Sequence, residues 1–115
     1  MLNIERSEMG GITLLRLHGD IDDEGRNRLR LMLARCADAD RCHIVVNLAG
    51  VKYVSYLGVA VLLEWLQHLQ AFGGDLKLVG MNLYTERLLR MVGVSKRFAA
   101  FQSEAQAIQE YRKAA

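Results

Sequence analysis

Cys42 and His43 are neighbours and Cys36 lies a short way upstream, so a thiol and a base stand close enough in sequence to suggest nucleophilic or redox chemistry. Nothing around either cysteine activates it: neither lies in a CxxC pair. Cys36 reads most simply as a core-facing residue. His18, His43 and His68 fall on three separate segments without the close spacing of a local metal motif, and each reads as a strand-end or surface histidine. Asp20, Asp22, Asp23 and Glu24 could hold a cation. The run lacks the ligand spacing of a calcium loop, and carboxylates at this density also cap a helix and complement its dipole. Gly73-Gly74 follows a helical segment and precedes a strand, the reverse of the order a phosphate loop needs, so the pair reads as a helix stop. With no HExxH, GxSxG, GxGxxG, Walker or paired-carboxylate signature, the chain reads as non-enzymatic, without metal or cofactor. The remaining candidate is Asn47 to Gly58, the one place where a strand feeds a helix through a short exposed turn, with Ser55, Tyr56, Leu57 and Gly58 at the junction.

The surrounding pattern shows what must position that turn. Gly10-Gly11 separates the short runs Leu2 to Glu8 and Ile12 to His18, which predicts an N-terminal β-hairpin. A helix is expected from about Asp23 to Asp38, with Leu29, Met32, Leu33 and Cys36 on its apolar side and Arg26, Arg28, Arg30 and Arg35 on the others. Cys42 to Leu48 carries the β-branched run Ile44-Val45-Val46 and reads as a central strand covered on both faces. Leu57 to Phe72 reads as a long helix, followed by a strand at Leu76 to Val79, and this order implies a βαβ unit and a parallel sheet. Asn82 caps a third helix that Gly93 stops after Val92, Arg97 to Phe101 reads as a short edge strand, and Ser103 with Gln106 forms a capping box for a last helix to about Arg112.

On a helical wheel, Val59, Leu62, Leu66 and Leu69 form the core face of the Leu57–Phe72 helix, and Glu64, Gln67 and His68 the opposite one. Leu57 falls on the polar stripe and should face solvent. Val61, Trp65 and Phe72 form a second apolar flank, either packed against the neighbouring helix or exposed for contact.

Composition bounds the rest. The chain has 115 residues, 51% of them apolar, which is enough for one domain with its own core. Fifteen Lys plus Arg stand against 13 Asp plus Glu, a net charge of +2 without a block of like charge, so neither nucleic acid nor anionic lipid is expected as a partner. The longest apolar run, Tyr56 to Leu63, is far short of the roughly 20 residues of a membrane span. No signal peptide opens the sequence, and two cysteines make no disulfide framework, so a reducing cytoplasmic setting is expected.

Five blocks in order resemble the STAS domain, the α/β fold of bacterial anti-sigma-factor antagonists, over nearly all of residues 1–115 as a single domain. Gly19-Asp20-Ile21-Asp22 is similar to the family's Gly-Glu-Leu-Asp, and Asn47-Leu48 with Tyr53-Val54 to its lead-in. Ser55-Tyr56-Leu57-Gly58-Val59 stands where members carry Asp-Ser-Ser-Gly-Leu or Ser-Ser-Ala-Gly-Leu, and the blocks Gly73 to Gly80 and Leu88 to Val94 resemble the family's later ones. The resemblance implies a mixed, mostly parallel sheet of four to five strands with about four helices.

It also implies a partner switch, in which an anti-sigma factor that is itself a serine kinase of histidine-kinase-like ATPase fold binds the antagonist and releases it by phosphorylation. Here Leu57 occupies the family's phospho-acceptor position and cannot take phosphate. Ser55, offset by two residues, is then the candidate acceptor; the alternative is constitutive docking through Tyr56 and Leu57. Asp20, Asp22, Ser55, Tyr56, Leu57, Gly58 and Val61 are the expected partner-binding residues, and self-association as a homodimer is compatible with this reading. A second reading keeps the fold but makes the chain an accessory subunit docked on the ATPase of an ABC-type lipid transporter.

Overall fold

The structure, a computed structural model, describes residues 1–114. Gly10 adopts the left-handed conformation (φ 62°) that lets β1 (Asn3–Met9) reverse directly into β2 (Ile12–His18), pairing Met9 with Ile12 in antiparallel register. The chain then alternates: α1 (Asp23–Asp38), β3 (His43–Gly50), α2 (Tyr56–Ala71), β4 (Asp75–Val79), α3 (Leu83–Val92), a 3₁₀ turn at Ser95–Arg97, β5 (Ala100–Phe101) and α4 (Glu104–Ala114). Strands β2 to β5 are parallel, and the sheet order follows the sequence, β1-β2-β3-β4-β5. This is the expected mixed α/β sheet with an N-terminal hairpin. The edge strand is shorter than the sequence suggests, because the 3₁₀ turn takes Arg97 and only Ala100 and Phe101 pair with β4.

Both faces of β3 are covered, as its uninterrupted apolar run requires. On one side, Ile44, Val46 and Leu48 pack with Leu29, Leu33 and Cys36 of α1 and Leu62, Leu66 and Leu69 of α2. On the other, Val45 joins Ile12, Leu14 and Val79 beneath Ala107, Ile108 and Tyr111 of α4. The α4 helix is held at both ends. Its first turn carries the capping box, with the Gln106 amide donating to Ser103 Oγ and the Ser103 amide to Gln106 Oε1. There Glu104 accepts two bonds from Arg16 (2.7 and 2.8 Å) and one from Asn47 (2.6 Å), and the Arg16 guanidinium foremost holds its carboxyl below the usual range. Near the other end the Tyr111 hydroxyl donates to the Ile44 and Asp75 carbonyls across β3 and β4. Burial, reinforced by Asp75, pushes that phenol well above its ordinary pKa, so it stays a donor.

Candidate functional site

The helices α1 and α2 both follow strands of the parallel sheet, so their N-termini emerge side by side at its C-terminal edge. Each is closed by a side-chain cap. Asp22 accepts from the Gly25 amide at 2.8 Å, and Ser55 Oγ from the Gly58 amide at 3.0 Å. A short parallel bridge welds the two caps together: the Ile21 amide donates to the Tyr53 carbonyl (2.9 Å), and the Ser55 amide to the Ile21 carbonyl (2.8 Å). Glycine is required where α2 crosses this bridge. A Cβ at Gly58 would lie 2.7 Å from Ile21 Cγ2 and 3.2 Å from the Ile21 carbonyl oxygen.

The bridge leaves the following residues facing outward. Tyr56 is 65% exposed and Leu57 45%, so the turn does not fold back onto its own sheet, and Leu57 faces solvent as the wheel predicts. Asp20 is exposed and Asp22 partly so, while Gly58 is buried under the bridge. Val61 departs from the expectation. It is 1% exposed and belongs to the main core cluster, in which α2 packs with α1 and the sheet. Val61 is therefore a packing residue, not part of the exposed surface. The flank that grouped it with Trp65 and Phe72 splits by depth along the helix: Trp65 is partly buried and Phe72 is 71% exposed.

Three further residues share this edge and escape the sequence reading. Tyr53, Leu83 and Tyr84 are all exposed, and the Tyr53 and Tyr84 rings meet at 6.2 Å between centroids. Asn82 brings α3 here by doing two jobs at once. Its Oδ1 caps the helix at the Thr85 amide, and its Nδ2 donates to the Lys52 carbonyl at 3.2 Å in the loop that leads to Ser55. The signal was present in sequence as two apolar residues directly after a cap, at positions off the core face of α3.

Electrostatically the edge is divided. The first turn of α1 carries Asp23 and Glu24, whereas the first turn of α2 carries no acid. Asp22, Asp23, Glu24, Tyr53 and Ser55 line a shallow groove of about 370 Å³. Among the described residues no cluster of His, Cys, Asp or Glu is arranged to hold a metal ion. The three histidines stay on separate elements, the end of β2, the start of β3 and the exposed side of α2. Cys36 is buried, and its burial pushes the thiol pKa up, against any role as a thiolate nucleophile.

A family model for the STAS domain matches residues 3–107. The chain belongs to the STAS domain family. The anti-sigma F factor antagonist of Paenibacillus polymyxa is 26% identical over 110 residues, 95% of this chain and 94% of that one. An anti-sigma factor antagonist from Mycobacterium paratuberculosis superposes with a TM-score of 0.87 at 18% identity, over 97% of this STAS chain and 95% of the other. The antagonist SpoIIAA is similar in both its unphosphorylated form (TM-score 0.85, 17% identity, 96% and 97% covered) and, from Bacillus, its phosphorylated form (0.76, 16%, 95% and 99%). The STAS domain described here thus has its kinship with non-enzymatic regulators. No helix among its described residues is long and apolar enough to cross a membrane.

Proposed function

We propose that this STAS domain is a partner-switching regulator of the antagonist type, docking on an anti-sigma factor of histidine-kinase-like ATPase fold through the Asp20–Asp22 loop and the Ser55–Leu57 turn. The observation that carries the proposal is the exposure of Tyr56 and Leu57 in the first turn of α2, on a backbone held rigid by the Ile21–Val54 bridge. An aromatic and an aliphatic anchor on a preorganised turn gain more on burial against a partner than they would on a mobile loop.

The same geometry favours constitutive docking over a phosphorylation switch at Ser55. The Ser55 hydroxyl already serves as the α2 cap, and a phosphate there would stand in a groove lined by Asp22, Asp23 and Glu24, where like charge opposes it. Leu57, at the position the family resemblance assigns to the acceptor, has no hydroxyl to modify.

The test is recovery of partners from the native host with tagged protein, followed by calorimetric binding of the purified ATPase to wild type and to Leu57→Asp. The charged side chain sits in the first turn of α2, where the dipole tolerates it, so the melting temperature should stay close to wild type. Binding should weaken by roughly thirtyfold or more, the loss of about 2 kcal/mol that defines a contact hot spot. The bait's peptide spanning Ser55 should be unmodified. Equal binding by the variant, or recovery of a membrane-transport ATPase instead, would overturn this reading.

A further inference from the structure

The opposite ends of α1 and α2, about 24 Å from the caps at the usual helical rise, form a second feature that the docking edge does not use. The last turns of both helices and the start of β3 enclose a cleft of about 470 Å³ lined by Ala37, Asp38, Asp40, Cys42, His68, Leu69 and Phe72. Its aromatic wall is His68 and the exposed Phe72 ring, 5.1 Å apart between centroids, and Trp65 stands behind the wall, against His68 at 4.9 Å. Its polar wall is the carboxylate pair Asp38 and Asp40.

The sign of the charge there is unfavourable for the protein alone. Helix C-termini carry partial negative charge, so a carboxylate in the last turn of α1 opposes the dipole that a lysine or arginine would complement. No lysine or arginine lines the cleft, and the cations nearest in sequence are turned elsewhere. Arg41 binds Glu8, Thr13 Oγ1 and the Gly10 carbonyl, and Arg35 lines a different groove with Leu2 and Ile4. Two helix ends and two carboxylates thus converge on an exposed aromatic ring without a counter-charge from within the cleft.

We propose that this cleft is a second protein-docking site, which takes an arginine side chain of a partner between Asp38 and Asp40 and over the Phe72 ring. Arginine fits better than a small cation, because its planar guanidinium pairs with carboxylates while stacking on an aromatic face. The site is independent of the Ser55–Leu57 edge, so one STAS domain can hold two proteins at once.

The experiment is a ¹H–¹⁵N titration of the intact protein with the peptide Ac-Gly-Arg-Gly-NH₂ and, in parallel, its citrulline analogue. The arginine peptide should shift the amides of Asp38, Asp40, His68 and Phe72 saturably and perturb the fluorescence of Trp65, the chain's single tryptophan. The citrulline peptide should do neither. Asp38→Asn with Asp40→Asn, and separately Phe72→Ala, should each weaken the response roughly fivefold or more; the side chains are exposed, and removing carboxylates that oppose the α1 dipole should leave the melting temperature of the carboxamide variant no lower than wild type. Shifts absent or scattered over the surface, equal shifts with citrulline, or an undiminished response in the carboxamide variant would each overturn the proposal. None of these outcomes bears on binding through Leu57.

Discussion

Gly58→Ala tests whether the close approach of α2 to the Ile21–Val54 bridge is what holds the docking turn. The added methyl would stand 2.7 Å from Ile21 Cγ2, 3.1 Å from Val54 Cγ1 and 3.2 Å from the Ile21 carbonyl oxygen. Ile21 and Val54 are both fully buried, and the carbonyl is already bonded to the Ser55 amide, so no flexible side-chain end is free to yield. Overpacking of this kind costs about 1–3 kcal/mol. Replacing glycine by alanine inside a helix returns up to about 1 kcal/mol, and less in a first turn, where the backbone is only partly restrained. The balance is a loss of about 1–2 kcal/mol, or a melting temperature lower by about 4–8 °C in a domain of this size. Thermal and urea unfolding followed by circular dichroism would read it, with Gly11→Ala as the control, since a Cβ there meets nothing within 4 Å. A Gly58→Ala protein as stable as wild type would refute the argument that this glycine is required by contact.

Val61→Ala should cost about 1–3 kcal/mol in urea unfolding by emptying a packed site, while partner affinity per folded molecule stays unchanged. A selective loss of binding would return Val61 to the interface. Glu104 gives a pH dependence whose sign follows from its lowered pKa. Its contribution is fully present above the unfolded value of about 4.3 and is lost as pH falls through the lower folded value. The gap in melting temperature between wild type and Glu104→Gln should therefore be constant near neutrality and shrink below about pH 4. A gap that widened on acidification would contradict the Arg16–Glu104–Asn47 tie.

Much of the fold was legible along the chain because its elements are marked by local chemistry. Asp22, Asn82 and the Ser103–Gln106 box do lie at helix starts, Gly10-Gly11 at the hairpin, and Ile44-Val45-Val46 in the strand covered on both faces. The exposure of Leu57 was also readable, since its place on the wheel depends only on helical period. Edges were harder: Arg97 to Phe101 reads as a strand, but only Ala100 and Phe101 find a partner, because the chain is still leaving the 3₁₀ turn at Ser95–Arg97 where β4 could have paired with it.

What one-dimensional pattern could not supply was which faces meet. Val61 and Phe72 lie on one apolar flank of α2 in sequence, yet the first is buried in the main core and the second stands in solvent. Tyr53 and Tyr84 are distant in sequence and become neighbours only because Asn82 ties α3 to the loop before Ser55. Asp38, Asp40 and Phe72 likewise share a cleft only once parallel crossovers bring two helix C-termini together. Capping, turns and periodicity are properties of a few consecutive residues and so are determined by the sequence itself. Burial and charge environment depend on which elements become neighbours, and for this protein the packing of the helices against the sheet and against each other decided them.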